Sequence, residues 1–562
     1  MKNLIVKSTL AAMLSSSVIL PVAAAGAGAG ADDNKAILNI APVQRTSWVR
    51  NFNPYNQTTF LPTTNEYIYE PLAIYNPMQG GKIHYRLADN IEFNSDATAA
   101  VFTLRKGVKW SDGEEFNAED VKFSFDLVKA NPALDSRAIW QRISAVEVLN
   151  SHQVKFSFPE PDSGAPIEIV RVPIVAEHIW REVKDPVTFT NENPVGTGPL
   201  TEIERFTTRV YVQCRNPHYW DDATLKVDCV RLPQLANNDQ VLAAAQKGEL
   251  DWFGSFLPDI DKTYVAKDAQ NFKYWFPADS MVAFNLNLAS NNPGNRKAFN
   301  DVNFRRAVSM AMDRNSMVNI AGYGYPTLNE YPSGLGAGYH SWNNDEVDKK
   351  FGQYSRYDIK AAKALLQQAG YQDKDGDGYV DNPDGSPIAF SILVPNGWTD
   401  WVNTVQIAVD GLQEMGINAK VSTPEATAWT SALIDGSYDA AINAYFAGVT
   451  PHLMYNTAFH SSQLDKTRMS STRFTDPELD KLLDQFYSTT DKAKQQQTMG
   501  QIQMIVAENM PFIPVFNNPS WYQYNTQRFE GFFNADNPIA KPQPHPGNPE
   551  RLLHLLSLKP KS

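Results

Sequence analysis

Trp398 is the residue whose setting first suggests ligand chemistry. It sits in Pro395-Asn-Gly-Trp-Thr-Asp400, directly after the apolar run 388–394. A Gly turn there brings the indole close to a loop tip. A sugar ring has a C–H face that packs on such an indole. Its rim of hydroxyls needs amide and carboxylate partners. A saccharide cleft therefore mixes Trp, Tyr and Phe with Asn, Asp and Gln.

Other constellations point elsewhere. Asp373-Lys-Asp-Gly-Asp-Gly-Tyr-Val-Asp381 places Asp373, Asp375 and Asp377 at the first, third and fifth positions of a calcium-type loop, with Gly378 sixth. Its twelfth residue is Asp384 where such loops carry Glu, and Asp-Gly repeats are also hairpin material. It is a weak metal candidate, and no metal or cofactor is expected. Catalytic signatures of the G-x-S-x-G, H-E-x-x-H, G-x-x-x-x-G-K-[ST] and G-x-G-x-x-G types are absent from the sequence. The acid pairs Glu114/Glu115 and Glu119/Asp120 read as helix-start residues favoured by the dipole. A glycosidase, with two carboxylates facing across a cleft, is the enzyme alternative; a non-enzymatic binding protein is the expectation.

The elements that must hold these residues belong to an exported chain. Lys2 and Lys7 precede an apolar run, Leu10 to Val22, and a small-residue tail with A-x-A cleavage options. Residues 1–31 thus read as a signal peptide, cleaved on passage into the periplasm of a Gram-negative bacterium. Losing its two lysines takes the formal net charge from −12 to −14. So acidic a chain is no nucleic-acid binder. Its two cysteines, Cys214 and Cys229, most simply form one disulfide in an oxidising compartment. Roughly 530 mature residues exceed what one core serves, so two or more lobes are expected.

Strand-like and helix-like segments alternate throughout, the pattern of an α/β fold. Strands are expected at 35–40, 100–104, 153–158, 388–394 and 417–422. Helices are expected at 118–129 with Asn117 as N-cap, and at 302–320, 357–370, 404–415 and 477–486.

Four ordered blocks then carry a resemblance. Residues 104–123 read Leu-Arg-Lys-Gly-Val-Lys-Trp-Ser-Asp-Gly-Glu-Glu-Phe-Asn-Ala-Glu-Asp-Val-Lys-Phe. Pro194-Val-Gly-Thr-Gly-Pro199 precedes Arg215-Asn-Pro-His-Tyr-Trp220. Phe284-Asn-Leu-Asn287 precedes Phe304-Arg-Arg-Ala307 and Ala311-Met-Asp-Arg314, and Ser437-Tyr-Asp439 follows. The chain resembles extracellular solute-binding family 5, the oligopeptide, dipeptide and nickel binders of ABC importers. Tyr67-Ile-Tyr-Glu-Pro-Leu72, Asn237-Asn-Asp-Gln240, Pro395-Asn-Gly-Trp-Thr-Asp400 and Pro549-Glu-Arg-Leu-Leu-His554 make it most similar to the chitin-oligosaccharide and cellobiose branch.

That resemblance implies a two-lobed periplasmic-binding-protein fold of the large class II type, with ligand in the cleft. Lobe I would span 32–289 with a return over 516–562, and lobe II 290–515. Ligand would favour a closed state that the membrane permease recognises. Trp398 would stack a sugar ring with Asp400 as polar partner, and Phe446, its neighbour Tyr445 and Asn237 would add pocket contacts. His545 stands where that branch has a second stacking Trp, Ala444 where it has an Asn, and Leu61 near a basic position. These departures leave a gluco-disaccharide, another β-linked oligosaccharide or a peptide as ligands. ABC permease subunits are implied as partners of a monomer, and a membrane sensor kinase as a further one.

Overall fold

The computed structural model describes residues 35–56, 61–446 and 448–561. The expected signal peptide lies outside them. Among the described residues no helix is long and apolar enough to cross a membrane.

Two large mixed sheets organise the chain. The first has seven strands in the order Phe272–Tyr274, Gln523–Asn525, Trp252–Phe253, Ile37–Ala41, Cys229–Pro233, Val210–Arg215 and Leu200–Phe206. Ile37–Ala41 lies parallel to two neighbours, with Ile37 opposite Cys229 and Ile40 opposite Trp252. Strands from the N-terminus, the middle and residues 523–525 thus share one sheet. Cys214 and Cys229 face each other across two of its antiparallel strands and form a disulfide. A four-stranded antiparallel sheet, 88–104 and 145–157, adds a subdomain covered by helix Ala118–Ala130. Asn117 caps that helix, its side chain accepting from the Glu119 amide while Asp120 reaches back to the Asn117 amide.

The second sheet has six strands in the order Thr327–Leu328, Ile513–Pro519, Ala278–Leu286, Ala440–Tyr445, Ala389–Leu393 and Asn418–Ser422. Two of them, Ala278–Leu286 and Ile513–Pro519, carry this sheet beyond the span 290–515. Every residue of Ala440–Tyr445 is buried, because helices cover both faces of the sheet. Helix Thr399–Glu414 joins parallel strands Ala389–Leu393 and Asn418–Ser422, burying Trp401, Val405, Ala408, Val409 and Leu412 at helical spacing. It begins at Thr399, five residues before the expected start.

One expected helix is broken. Residues 302–320 form Val302–Met310, then Arg314–Ser316, then a wide turn over Met317–Ala321. Asp313 starts the new helix by accepting from the Ser316 amide. Arg314 is fully buried and donates to the carbonyls of Pro514 (2.8 Å) and Ser309 (2.9 Å). The apolar stripe hides this break, because the residues that cause it are polar.

Two segments cross between the sheets and run side by side. Trp275 donates its amide to Tyr522 (3.1 Å) and Ser520 donates to Pro277 (2.8 Å). On the opposite side the lobes also touch. The Ser163 amide and hydroxyl donate to the carbonyls of Tyr487 (2.8 Å) and Thr489 (2.7 Å). Separate apolar cores fill the two lobes. The C-terminal helix Arg551–Ser557 packs into the first through Leu552 and Leu555.

Candidate functional site

Both sheets turn the C-terminal ends of their parallel strands toward the crossing segments, where open α/β sheets usually bind ligands. In the second sheet Leu393 lies level with Ala441, and Tyr445 with Met281 beside the crossing. The residues after Leu393 and after Tyr445 therefore leave the sheet at one edge. They are Trp398 and Phe446, and their rings remain 42% and 41% exposed. Trp398 is held edge-on against Trp401 (5.1 Å between ring centres) and tilted against Trp429 (5.8 Å). Arg468 lies over the far ring, 5.5 Å from Trp429. The indole is thus held by two neighbouring rings and remains half-exposed.

Asp400 sits in the first turn of helix Thr399–Glu414. Burial raises its carboxyl above the usual carboxylate range, while its own amide and that of Trp401 hold it down. Tyr445 does not join this site. It is fully buried, donating to Asn285 Oδ1 at 3.0 Å and packing on Phe512. Successive residues of a strand point to opposite faces, so Tyr445 and Phe446 cannot share a wall.

The first sheet brings amides and hydroxyls to its corresponding edge. Asn237 follows strand Cys229–Pro233 and caps helix Asn238–Gln246, accepting from the Gln240 amide at 3.0 Å. The residue is exposed. Beside it Gln44 donates to Asn238 Oδ1 (2.5 Å) and Ser255 Oγ (3.0 Å), and Gln523 brackets the Ser255 backbone.

A cavity of about 450 Å³, open to solvent, lies between the lobes. Its second-lobe wall is Tyr339, Phe446, Gly448, Val449 and Leu453. Its first-lobe wall includes Glu66, Arg137, Arg171 and the return segment 541–550. Of the residues expected to bind ligand, Phe446 and His545 line it; Trp398, Asp400, Asn237 and Tyr445 do not.

Arg551 organises the first-lobe wall. Almost fully buried, it clasps the Glu66 carboxylate (2.9 and 2.6 Å) and donates to the carbonyls of Asn65 (2.9 Å) and Pro544 (3.1 Å). Glu66 itself is held at φ +65°, a left-handed backbone that costs energy outside glycine. The Pro-rich return is pinned by Trp252 Nε1 to Pro542 (2.7 Å) and by Asn548 to Lys541 and Gln543 (2.9 Å each). His545 accepts from the Gly547 amide at 3.2 Å.

Two charged groups on this wall were not found from the sequence. Glu550 is only 4% exposed, yet its carboxylate bonds to no other residue among those described. Burial raises it above the ordinary glutamate value, partly offset by Lys541 and Arg171. Arg171, half-buried, has no side-chain hydrogen bond or ion pair among the described residues. Arg171 lies outside the segments that carry the resemblance; Glu550 is the second residue of Pro549-Glu-Arg-Leu-Leu-His554, the one available signal.

The acids of 373–377 spend their oxygens locally. Asp373 accepts from Gly376 (2.7 Å) and Gly378 (3.0 Å), Asp375 from Asp377 (3.1 Å), and Asp377 from Tyr379 (2.8 Å). All three residues are exposed, on a turn remote from the cleft residues.

Two lobes, paired crossing segments and an interlobe cavity define a periplasmic-type solute-binding protein. The family profile described as bacterial extracellular solute-binding proteins, family 5 Middle, matches residues 82–466, and the chain belongs to that family. The oligopeptide-binding protein AppA of Bacillus subtilis is 24% identical over 460 residues, 79% of this chain and 80% of that protein. The glutathione-binding protein GsiB of Escherichia coli K12 is 24% identical over 469 residues, 77% of this chain and 80% of its own. The periplasmic oligopeptide-binding protein of an oligopeptide ABC transporter from Thermotoga maritima superposes with a TM-score of 0.86 at 26% identity, covering 94% of this chain and 100% of that one. Its mannohexaose-bound form gives 0.79, covering 94% and 99%. The chain is therefore similar to substrate-binding components of ABC importers, whose role is binding.

Proposed function

We propose that this chain is exported to the periplasm, captures a β-linked oligosaccharide by closing its lobes, and delivers it to an ABC permease. One observation carries the ligand class. The second-lobe edge offers two half-exposed aromatic rings, Trp398 and Phe446, and the first-lobe edge offers uncharged amide and hydroxyl groups around Asn237. Flat apolar faces opposite hydrogen-bonding amides suit a pyranose. The mannohexaose-bound Thermotoga protein supports the same class. Closure would pivot on the crossing segments near 275–278 and 519–522, and the liganded closed state is what the permease would read.

A peptide is the second reading, and Glu550 with Arg171 favours it, because opposite unspent charges suit a zwitterion. AppA and GsiB are relatives of that kind. A thermal-shift screen of refolded, ligand-stripped protein separates the two. The panel is cellobiose, laminaribiose, N,N′-diacetylchitobiose, mannohexaose and di- to pentapeptides. Ligand binding only the native state raises the melting point by mass action. A rise with a saccharide and none with peptides is expected. A rise with peptides alone overturns the oligosaccharide reading.

A further inference from the structure

The interlobe cavity does not end at Arg171. A second cavity of about 300 Å³ adjoins it and shares Asn65, Arg137, Arg171 and His545 as a common wall. Its lining comes from residues 43–55, 65, 128–137, 171–173 and 545–547. All of these belong to the first lobe, so lobe closure neither builds nor seals this chamber.

Its charge is one-sided. Arg45, Arg137 and Arg171 line it against a single acid, Asp135. The Asp135 carboxylate is already engaged, accepting from the amides of Ile139 (2.8 Å) and Trp140 (3.3 Å). Arg137 shares Glu168 at 3.2 Å. Arg45, which is exposed, and Arg171, which lines both cavities, have no side-chain hydrogen bond or ion pair among the described residues. In the adjoining cavity Glu66 is clasped by Arg551, and Glu550 lies within electrostatic reach of Arg171. Three guanidinium groups line this chamber, and the one acid among its described lining residues is already engaged.

We propose that this first-lobe chamber receives the anionic end of the ligand, a carboxylate bound by Arg171 and steered by Arg45, while the body of the ligand lies between the lobes. Planar guanidinium forks match a carboxylate in geometry as well as charge. Because the chamber is complete in one lobe, the carboxylate docks before closure, and closure then grips only the remainder. The inference rests on the reading that the cleft captures an oligomer. It adds that the oligomer is acidic at one end, as a uronic-acid-terminated saccharide or a free-acid peptide would be.

Calorimetric titration of refolded, ligand-stripped protein at low salt tests it with four probes. These are cellotriose, cellotriose carrying a terminal C6 carboxylate, trialanine and trialanine amide. In the class that binds, the acid form is expected to bind about ten- to a hundred-fold tighter than its neutral partner. R171Q should abolish that preference, acid and neutral probes then binding within about twofold of each other. R45Q, an exposed site that leaves the fold intact, should remove part of it and weaken its salt dependence. Equal affinity for acid and neutral probes on the native chain, or an equal loss of both in R171Q, overturns the chamber. Saccharides that bind without regard to the carboxylate leave the capture reading standing and remove the chamber. An acid preference among peptides with no saccharide binding does the opposite. If none of the four binds, both fall.

Discussion

The edge of the second sheet and the floor of the interlobe cavity are two parts of one cleft with opposite chemistry. At the edge, Trp398 and Phe446 present bare rings, and the neighbouring groups of the first lobe are amides and hydroxyls whose hydrogen bonds are already mutual. At the floor, Glu550 and Arg171 present charges with no side-chain hydrogen bond or ion pair among the described residues, offset only through space by neighbours such as Lys541. An edge of this kind binds mainly through area and shape, with Asp400 as the titratable group beside Trp398. A floor of this kind binds through charge, and its contribution varies with pH and salt. Measuring where affinity is lost when each is altered tells which part of the cleft selects the ligand.

The largest effect is expected at the edge. Trp398→Ala removes the platform while Trp401 and Trp429 keep the helix start packed beneath it. Saccharide affinity should fall by about 1–3 kcal/mol from lost stacking area, with the melting point of the free protein little changed. Calorimetry with the disaccharide found in the screen measures it. An affinity within about twofold of native places the binding at the floor instead.

Next in size is Glu550→Gln. If the edge dominates, saccharide affinity falls by no more than about 1.5 kcal/mol, one hydroxyl–carboxylate hydrogen bond. If a ligand ammonium sits on Glu550, the loss reaches about 1.5–3 kcal/mol. The free protein should respond in the other direction. Burial raises the Glu550 carboxyl in the folded state, so its ionised form opposes folding at neutral pH. Removing it should therefore raise the melting point at pH 7. The gain should fade as pH falls through the raised value and vanish below the ordinary glutamate value, where both states are protonated.

The same shift separates the regions without mutation. As pH falls from 8, Glu550 is protonated earlier than a surface glutamate would be. A ligand held by its ammonium loses that partner over the same interval. A ligand stacked on Trp398 keeps its affinity, because an indole does not titrate. Saccharide affinity flat from pH 8 to about pH 5 is expected; a steep fall across that range shifts the weight to the floor.

The difference between the regions also explains what could be read from the sequence. The edge follows local grammar. An apolar strand, a Gly turn and an aromatic residue sit within a dozen positions, so Trp398 was legible. So were the Asn117 cap and the helix Pro477–Phe486, each marked by adjacent residues. The floor has no such grammar. Glu66, Arg171 and Glu550 come from three distant segments, and only the fold makes Arg551 clasp one acid and leave the other bare. Tyr445 shows the opposite limit: it neighbours Phe446 in sequence, but strand alternation sends it into the core. Strand Ala278–Leu286 pairs in the second sheet although it precedes residue 290, and a crossing segment has no compositional mark to show it.

The smallest and sharpest test is Asn237→Asp. Asn237 would do two jobs with two atoms: Oδ1 caps helix Asn238–Gln246, and Nδ2, on an exposed residue, would be the donor offered to ligand. Replacement by Ala would remove both and confuse a cap loss of about 0.5–2 kcal/mol with a binding loss. Asp keeps the capping oxygen, suits the helix dipole, and replaces only the donor. The melting point should therefore hold or rise slightly, while saccharide affinity falls by about 0.5–1.5 kcal/mol, one neutral hydrogen bond. If both stay unchanged, Asn237 is a capping residue alone, and the hydroxyl partners at the edge must be sought among Gln44, Asn238 and Ser255.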